Sequence, residues 1–471
     1  MPILLDEDRV PADRSAAVRA LQPHSSGPAS LANGTSDSET SFMSPDLETQ
    51  PELAACIYNA AGIAYFNRGH IELARKHIER ALEIRRSFYG DEHPAVAESL
   101  HSRARLHRHD GDLRAAEADI RRALGIQTRV DGRASLAVAA TLWELSVIQL
   151  ESVDLAGAER SAQEGLRNIE QLYLDHCDPH VPRLLDVIAR VRSSRGEHTQ
   201  AAEIYSRVLH LVAEKQGKDH PKYAIYLANL GSVEQARGNL EEAEDCYRRA
   251  MGVYERINER HPNLSGIYAN MGTLLQEAGS ERQDEARSFL SKAMLLSETI
   301  WGQQHHFHAY DQYNLARLEF DLGNVNEARR LAEAALQTYR AAQPEGAYTA
   351  SAMMLVSRAI LDDAARDDSS APTAAELQRA KGLLADALPI VRREYGERSL
   401  PFALARGLLG RTRCLLGDAG TEPAKLIASA HACASEVGGA EDRIARQLAG
   451  WLQDAQQPAL PAPSGAAQKT G

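Results

Sequence analysis

The chain has 471 residues, a formal net charge of −12 and only 5% aromatic residues. The acidic balance argues against a nucleic-acid partner, because phosphate binding calls for a basic face. Five scattered cysteines (Cys56, Cys177, Cys246, Cys414, Cys433) with no Cys-x-x-Cys argue against a disulfide framework, and no apolar stretch approaches the roughly 18 residues that span a bilayer.

The N-terminus, Met1-Pro2-Ile3-Leu4-Leu5 followed by Asp6-Glu7-Asp8, lacks the basic start and apolar core of a secretion signal. These features predict a cytoplasmic protein without membrane insertion. Residues 22–51 are rich in Ser, Thr, Pro, Gly, Asn and Asp, so residues 1–50 are expected to form a disordered N-terminal segment. A first helix follows, with Tyr58, Ala61, Gly62 and Tyr65 at the i, i+3, i+4, i+7 spacing of one helical face. Asn67-Arg68-Gly69 break it, and a second helix carries Leu73, Ala74, Ile78, Ala81 and Leu82 inward. Tyr89-Gly90 and Asp91-Glu92-His93-Pro94 close the unit, Pro94 suiting the start of the next helix.

That unit recurs. Alanine pairs seven residues apart stand at Ala74/Ala81, Ala116/Ala123, Ala243/Ala250, Ala286/Ala293, Ala328/Ala335 and Ala380/Ala387, with Ala158/Gly165 and Ala201/Val208 filling the gaps. Their first members lie 42, 42, 43, 42, 43 and 42 residues apart, before a last step of 52. Seven residues are nearly two helical turns, so each pair forms one stripe of small side chains on which two helices can approach closely. A fixed period in this range predicts stacked helix pairs, each burying its apolar face only against its neighbours. Repeat three departs from the pattern, with Val153-Asp154 at the inter-helix turn and an irregular exit through His176-Cys177-Asp178-Pro179-His180. Repeat eight carries a polar insertion around Asp367-Asp368-Ser369-Ser370-Ala371-Pro372, read as an exposed loop. Ile444, Leu448, Trp451 and Leu452 then form the apolar stripe of a C-terminal capping helix, followed by a Pro-containing tail.

The small residues at Gly62, Gly231, Gly272 and Gly410, the alanine pairs and the Gly90, His93-Pro94, Val96-Ala97 ending resemble the tetratricopeptide repeat. The stretched unit is most similar to the kinesin-light-chain-like, bacterial-type class, and the resemblance covers roughly residues 52–435. It implies an all-α, right-handed α-solenoid of about eight to nine helix pairs with a capping helix. The expected organisation is a disordered segment at 1–50, the repeat array at 51–437, the cap at 438–455 and a disordered tail at 456–471.

Neither a phosphate-binding Gly-rich loop nor a Gly-x-Ser-x-Gly nucleophile motif occurs, and no cofactor is expected. Three histidines, His93, His220 and His261, precede proline at one repeat position and are read as part of the loop grammar. In tetratricopeptide arrays the first helix of each pair lines the concave face. Counting from the small positions Gly62, Ala104, Ser146, Ala189, Gly231, Gly272, Ala316 and Gly410, two columns stand out. Asn229, Asn270 and Asn314 stand two residues before, and Arg105, Arg190, Arg317 and Arg411 one residue after. The resemblance implies that the asparagine column holds the backbone of an extended peptide. An amide both donates and accepts, and arginine offers a fork suited to carboxylates, which favours an acidic partner.

The leading expectation is thus a non-catalytic scaffold or adaptor, binding a segment of another protein through Asn229, Asn270, Asn314, Arg105, Arg190 and Arg317. A peptide-sensing regulatory protein is the first alternative. A metal-dependent enzyme on an α/α scaffold, using His101, His107 and His109 or the repeat-three loop, is the second. Residues 1–50 lack the apolar heptads of a coiled coil, so a kinesin light chain proper is not expected.

Overall fold

The computed structural model describes residues 50–67, 70–132, 134–172, 178–258, 260–363, 372–418 and 421–456. The expected disordered segments at 1–50 and 456–471 fall outside these residues, apart from Gln50 and Gln456 at their inner edges. His176, Cys177 and most of the repeat-eight insertion fall outside as well.

Among the described residues the chain folds into nineteen α-helices and one 3-10 turn (Ser280–Arg282), with no strand. The array opens with α1 (Pro51–Asn67), α2 (Ile71–Tyr89), α3 (Pro94–His109), α4 (Leu113–Val130), α5 (Leu136–Glu151) and α6 (Leu155–Gln171). It continues through α7 (His180–Ser194), α8 (His198–Gln216), α9 (Pro221–Arg237), α10 (Leu240–Ile257) and α11 (Pro262–Ala278). Next come α12 (Gln283–Trp301), α13 (His306–Asp321), α14 (Val325–Ala342) and α15 (Ala347–Asp363). The last pairs use α16 (Ala374–Tyr395), α17 (Leu400–Leu415) and α18 (Glu422–Gly438), and α19 (Arg443–Gln456) ends the array. The chain divides into two compact units, one through Ile267 and one from Tyr268.

Within each unit successive helices pack on one another in chain order. All twelve residues of the six alanine pairs have 0% exposure, as the seven-residue stripe predicts. Opposite them stand the small positions of the first helices. A Cβ on Gly231 would lie 2.9 Å from Tyr247 Cε1, and one on Gly272 would lie 2.5 Å from Leu290 Cγ. The apolar clusters span three consecutive helices, as Leu82, Val96, Ala97, Leu100, Ala123 and Ile126 do across α2, α3 and α4. Each pair is therefore completed by the next, which is the packing logic of a solenoid.

The turn inside the third pair explains its odd sequence. Gly111, Gly196, Gly323 and Gly417 make the corresponding turns at φ between 73° and 85°, and Val153 makes it at 65°. It is the one non-glycine residue with positive φ among the described residues, and its side chain is 75% exposed. A β-branched residue gains nothing from packing there and bears the full steric cost of the left-handed region. Val153→Gly is expected to raise the unfolding free energy by about 1 kcal/mol, read from denaturant midpoints at unchanged slope.

Histidines serve as helix N-caps between pairs. His93, His220 and His261 accept on Nδ1 from the backbone N–H two residues on, each at 3.2 Å, and His305 does so at 3.3 Å. His93 stacks on Tyr89 and His261 on Tyr254, with ring centroids 4.0 and 4.3 Å apart. Accepting on Nδ1 requires a neutral ring. Burial pushes His261 down to about 4 and lowers His220 as well. An unfolded histidine titrates near 6.5, so between roughly pH 4 and 6.5 the unfolded chain binds more protons. Stability from this cap is present above that window and is lost as pH falls through it. His261→Asn keeps an N-cap acceptor that does not titrate, and should flatten the fall in unfolding free energy between neutral pH and pH ~5.

Candidate functional site

The two columns on the first helices have different surroundings in the two units. In the first unit two members of the columns, Asn229 and Arg190, meet a buried carboxylate. Asn229 donates from Nδ2 to Asp186 Oδ1 at 3.1 Å, and Tyr205 donates its hydroxyl to the same oxygen at 2.9 Å. Arg190 Nη1 lies 3.8 Å from the other Asp186 oxygen. Burial raises the Asp186 carboxyl above its ordinary range, against the opposing pull of Arg190, Tyr205 and Asn229. Asn229 and Arg190 are thus brought together on one buried carboxylate. Arg105 lies with its guanidinium 5.1 Å from the centre of the Phe66 ring. At the asparagine position of α5 stands Glu144, 1% exposed, with Arg108 Nε 3.1 Å from its Oε1.

The second unit leaves the same positions unsatisfied. Asn270 and Asn314 are 4% and 2% exposed, and the Nδ2 atom of each is buried without a hydrogen-bond partner. Burial pushes the Tyr310 hydroxyl up and the Asn314 amide beside it pulls the other way, a loose contact that falls short of a formed hydrogen bond. Arg317, one turn further along α13, is exposed and makes no ion pair among the described residues. Tyrosines surround this stretch. Tyr310 meets Tyr348 edge-on with ring centroids 5.6 Å apart, and Tyr348 stacks on Tyr339 at the same separation. Tyr348 and Tyr395 are more than two-fifths exposed.

One member of the arginine column escapes the sequence reading. In the eighth pair the small position is Ser357, whose hydroxyl donates to the Met353 carbonyl at 2.8 Å and lies 3.4 Å from that of Ala380; the other pairs have glycine, alanine or, in the third, Ser146. The residue after it is Arg358, its guanidinium 4.4 Å from the Phe320 ring centre. The insertion between α15 and α16 lengthens the offset from small position to alanine pair, which hid this register. The tyrosines gave no periodic signal either.

The first helices of the second unit touch one another from α13 to α15 to α17, and α17 touches α19. At the far end of this layer Arg443 of α19 binds Asp321 of α13 through two contacts of 2.5 and 3.3 Å. Gln276 donates to the same carboxylate at 2.7 Å. Contact across 122 residues brings the ends of the layer together, with α15 and α17 between them in the chain.

The histidines of the enzyme alternative have separate partners: His101 faces Thr141 at 3.5 Å, His107 faces Asp119 at 3.7 Å and His109 faces Asp110 at 3.5 Å. Among the described residues no group of three His, Cys, Asp or Glu side chains is arranged to hold a metal. Cys56, Cys246, Cys414 and Cys433 are free thiols, and no described helix is long and apolar enough to cross a membrane.

Tetratricopeptide repeat family models match residues 53–128, 181–256, 227–299 and 312–342. These segments of the chain are tetratricopeptide repeats. It is 26% identical to human mitochondrial tetratricopeptide repeat protein 19 over 136 residues, 29% of this chain and 34% of that protein. It is 23% identical over 290 residues to the kinesin light chain-related protein 1 of Arabidopsis thaliana, covering 59% of this chain and 45% of that one. The chain thus spans between a third and a half of the length of these curated relatives. Among solved structures, a Signal Transduction ATPase with Numerous Domains protein from Pyrococcus horikoshii, with a tetratricopeptide repeat sensor, superposes with a TM-score of 0.50. That match is 12% identical and covers 83% of this chain and 57% of that chain, a likeness of fold.

Proposed function

We propose that this chain is a non-catalytic interaction module that holds an extended segment of a partner protein along the first helices of its second unit. The observation that carries this reading is the pair of buried, unpartnered amide nitrogens on Asn270 and Asn314, at one repeat position of successive first helices. An unsatisfied buried donor costs roughly 1–3 kcal/mol, and a bound peptide carbonyl recovers that cost once the amide turns about χ2. Asn229 stands at the same position, but its donor is already spent on Asp186. The binding face is therefore assigned to Asn270, Asn314, Arg317 and the adjoining tyrosines, with Asn229, Arg190 and Arg105 supporting the first unit. A cytoplasmic location belongs to the same reading and suits the free thiols.

The test is selection of short peptides from a display library on the full chain, followed by substitution. Asn270→Ala with Asn314→Ala is expected to lose the selected peptides while melting within a few degrees of the wild type, since the donors removed had no partner. Asn229→Ala should instead cost about 1 kcal/mol, because Asp186 loses a donor in a buried setting. If the double variant binds as the wild type does, the asparagine reading fails.

A second reading, a peptide-sensing regulator, is favoured by the Arg443–Asp321 contact, whose distance across the layer a bound segment would alter. Small-angle scattering with and without a selected peptide tests it. An unchanged profile on saturation removes the sensor and leaves the scaffold.

A further inference from the structure

Among the described residues, three arginines on consecutive first helices of the second unit have no counter-ion. Arg317 on α13, Arg358 on α15 and Arg411 on α17 each follow the small position, and among the described residues none makes a hydrogen bond or an ion pair. Arginines elsewhere in the protein are commonly paired: Arg103 holds Asp119 at 2.6 Å, Arg287 holds Glu319 at 2.6 Å and Arg329 holds Glu376 at 2.8 Å. Two of the three are fixed in place without being neutralised. The Arg358 guanidinium lies 4.4 Å from the Phe320 ring centre and that of Arg411 lies 4.9 Å from Trp451. Both rings are buried, so they serve as fixed platforms. A guanidinium laid on a ring face keeps its donor edge free for a planar acceptor.

The surrounding charges do not fill the vacancy. Asp321 is occupied by Arg443 and Gln276, and Arg443 adds like charge to the field at Arg358. Asp362 acts on both Arg358 and Arg411, and Asp454 on Arg411, but neither reaches ion-pair distance. Tyr313 lies in the field of both Arg317 and Arg358, which ties the column together. Burial lowers the pKa of Arg358 and Arg411, the sign of cations that bear a desolvation cost without recovering it through a partner. The Arg358 Nε atom is itself buried without a partner, as is Asn314 Nδ2 on the neighbouring helix.

We propose that Arg317, Arg358 and Arg411 form an anion-binding ladder that takes the side-chain carboxylates of an acidic segment of the partner protein, one carboxylate per first helix. This rests on the groove reading above and adds the chemical class and register of the ligand. Packed helices stand about 8–10 Å apart, and a segment in the polyproline II conformation advances about 3.1 Å per residue with three residues per turn, so acidic residues at every third position share one face and match that spacing. The asparagine donors beside the ladder suit a peptide backbone, and the net charge of −12 disfavours a nucleic acid as the source of the anions.

The test uses three labelled synthetic peptides on the full chain, followed by fluorescence anisotropy. One carries aspartate at every third position, one has the same composition with the aspartates adjacent, and one has asparagine in their place. The spaced acidic peptide is expected to bind at least about tenfold more tightly than the asparagine peptide and to weaken with added salt. Arg358→Gln and Arg411→Gln should each remove most of that preference, and Arg358→Lys should restore only part of it, lacking the planar fork. Arg317→Gln, at an exposed position with no fold to disturb, gives the same readout independently. Arg330→Gln, an exposed arginine paired with Glu327, should change nothing. Equal binding of the spaced and asparagine peptides, or wild-type preference in all three glutamine variants, overturns the ladder. In that case library-selected peptides that still depend on Asn270 and Asn314 leave the groove standing; if no peptide of any charge binds, both readings fall.

Discussion

The distance between helices in this protein is set by side chains that have almost no volume. Alanines at 0% exposure run along the second helices and face glycine, alanine or serine on the first, so backbones meet nearly directly. Dispersion and apolar burial both reward that approach, and both fail if a larger group intrudes, because interiors are close-packed and yield little. Everything else follows from the spacing this seam imposes. Within each unit it leaves a face of first helices whose polar residues are not needed to hold the pair together.

What the two units do with that face differs. In the first unit Glu144 meets Arg108, and Asn229, Tyr205 and Arg190 gather on Asp186, so the polar groups close on one another. Such networks give a buried region a definite arrangement but leave few donors for an outside partner. In the second unit the amide nitrogens of Asn270 and Asn314 have no hydrogen-bond partner, and Arg358 and Arg411 rest on aromatic rings instead of on carboxylates. One repeat grammar thus places a donor on a carboxylate at Asn229 and leaves it without one at Asn270 and Asn314.

The fold was legible because each helix pair faces the same local demands. Small residues, a turn glycine and a proline start must recur wherever the packing recurs, so a period near 42 residues exposes them. The eighth pair was the hardest to register, since Ser357 fills the small position and the insertion shifts the count to Ala380. Arg358 was missed for that reason alone. The site was less legible than the fold. Nothing near Asn229 in sequence announces that its partner is Asp186, 43 residues away, whereas Asn270 and Asn314 meet no such carboxylate. The capping role of His93, His220 and His261 was likewise hidden, because a histidine before proline looks the same whether its Nδ1 accepts or faces water.

The bond between Arg443 and Asp321 gives the second unit a mechanical property that a plain stack of pairs lacks. A solenoid flexes by many small rotations between neighbours, like a spring with free ends. Here the loop is clipped across 122 residues, so flexing that widens the layer must first part a two-contact pair. Arg443 is 64% exposed, which places the clip within reach of dissolved ions. Its stiffness therefore depends on ionic strength: firm in dilute solution, softer as salt screens the pair.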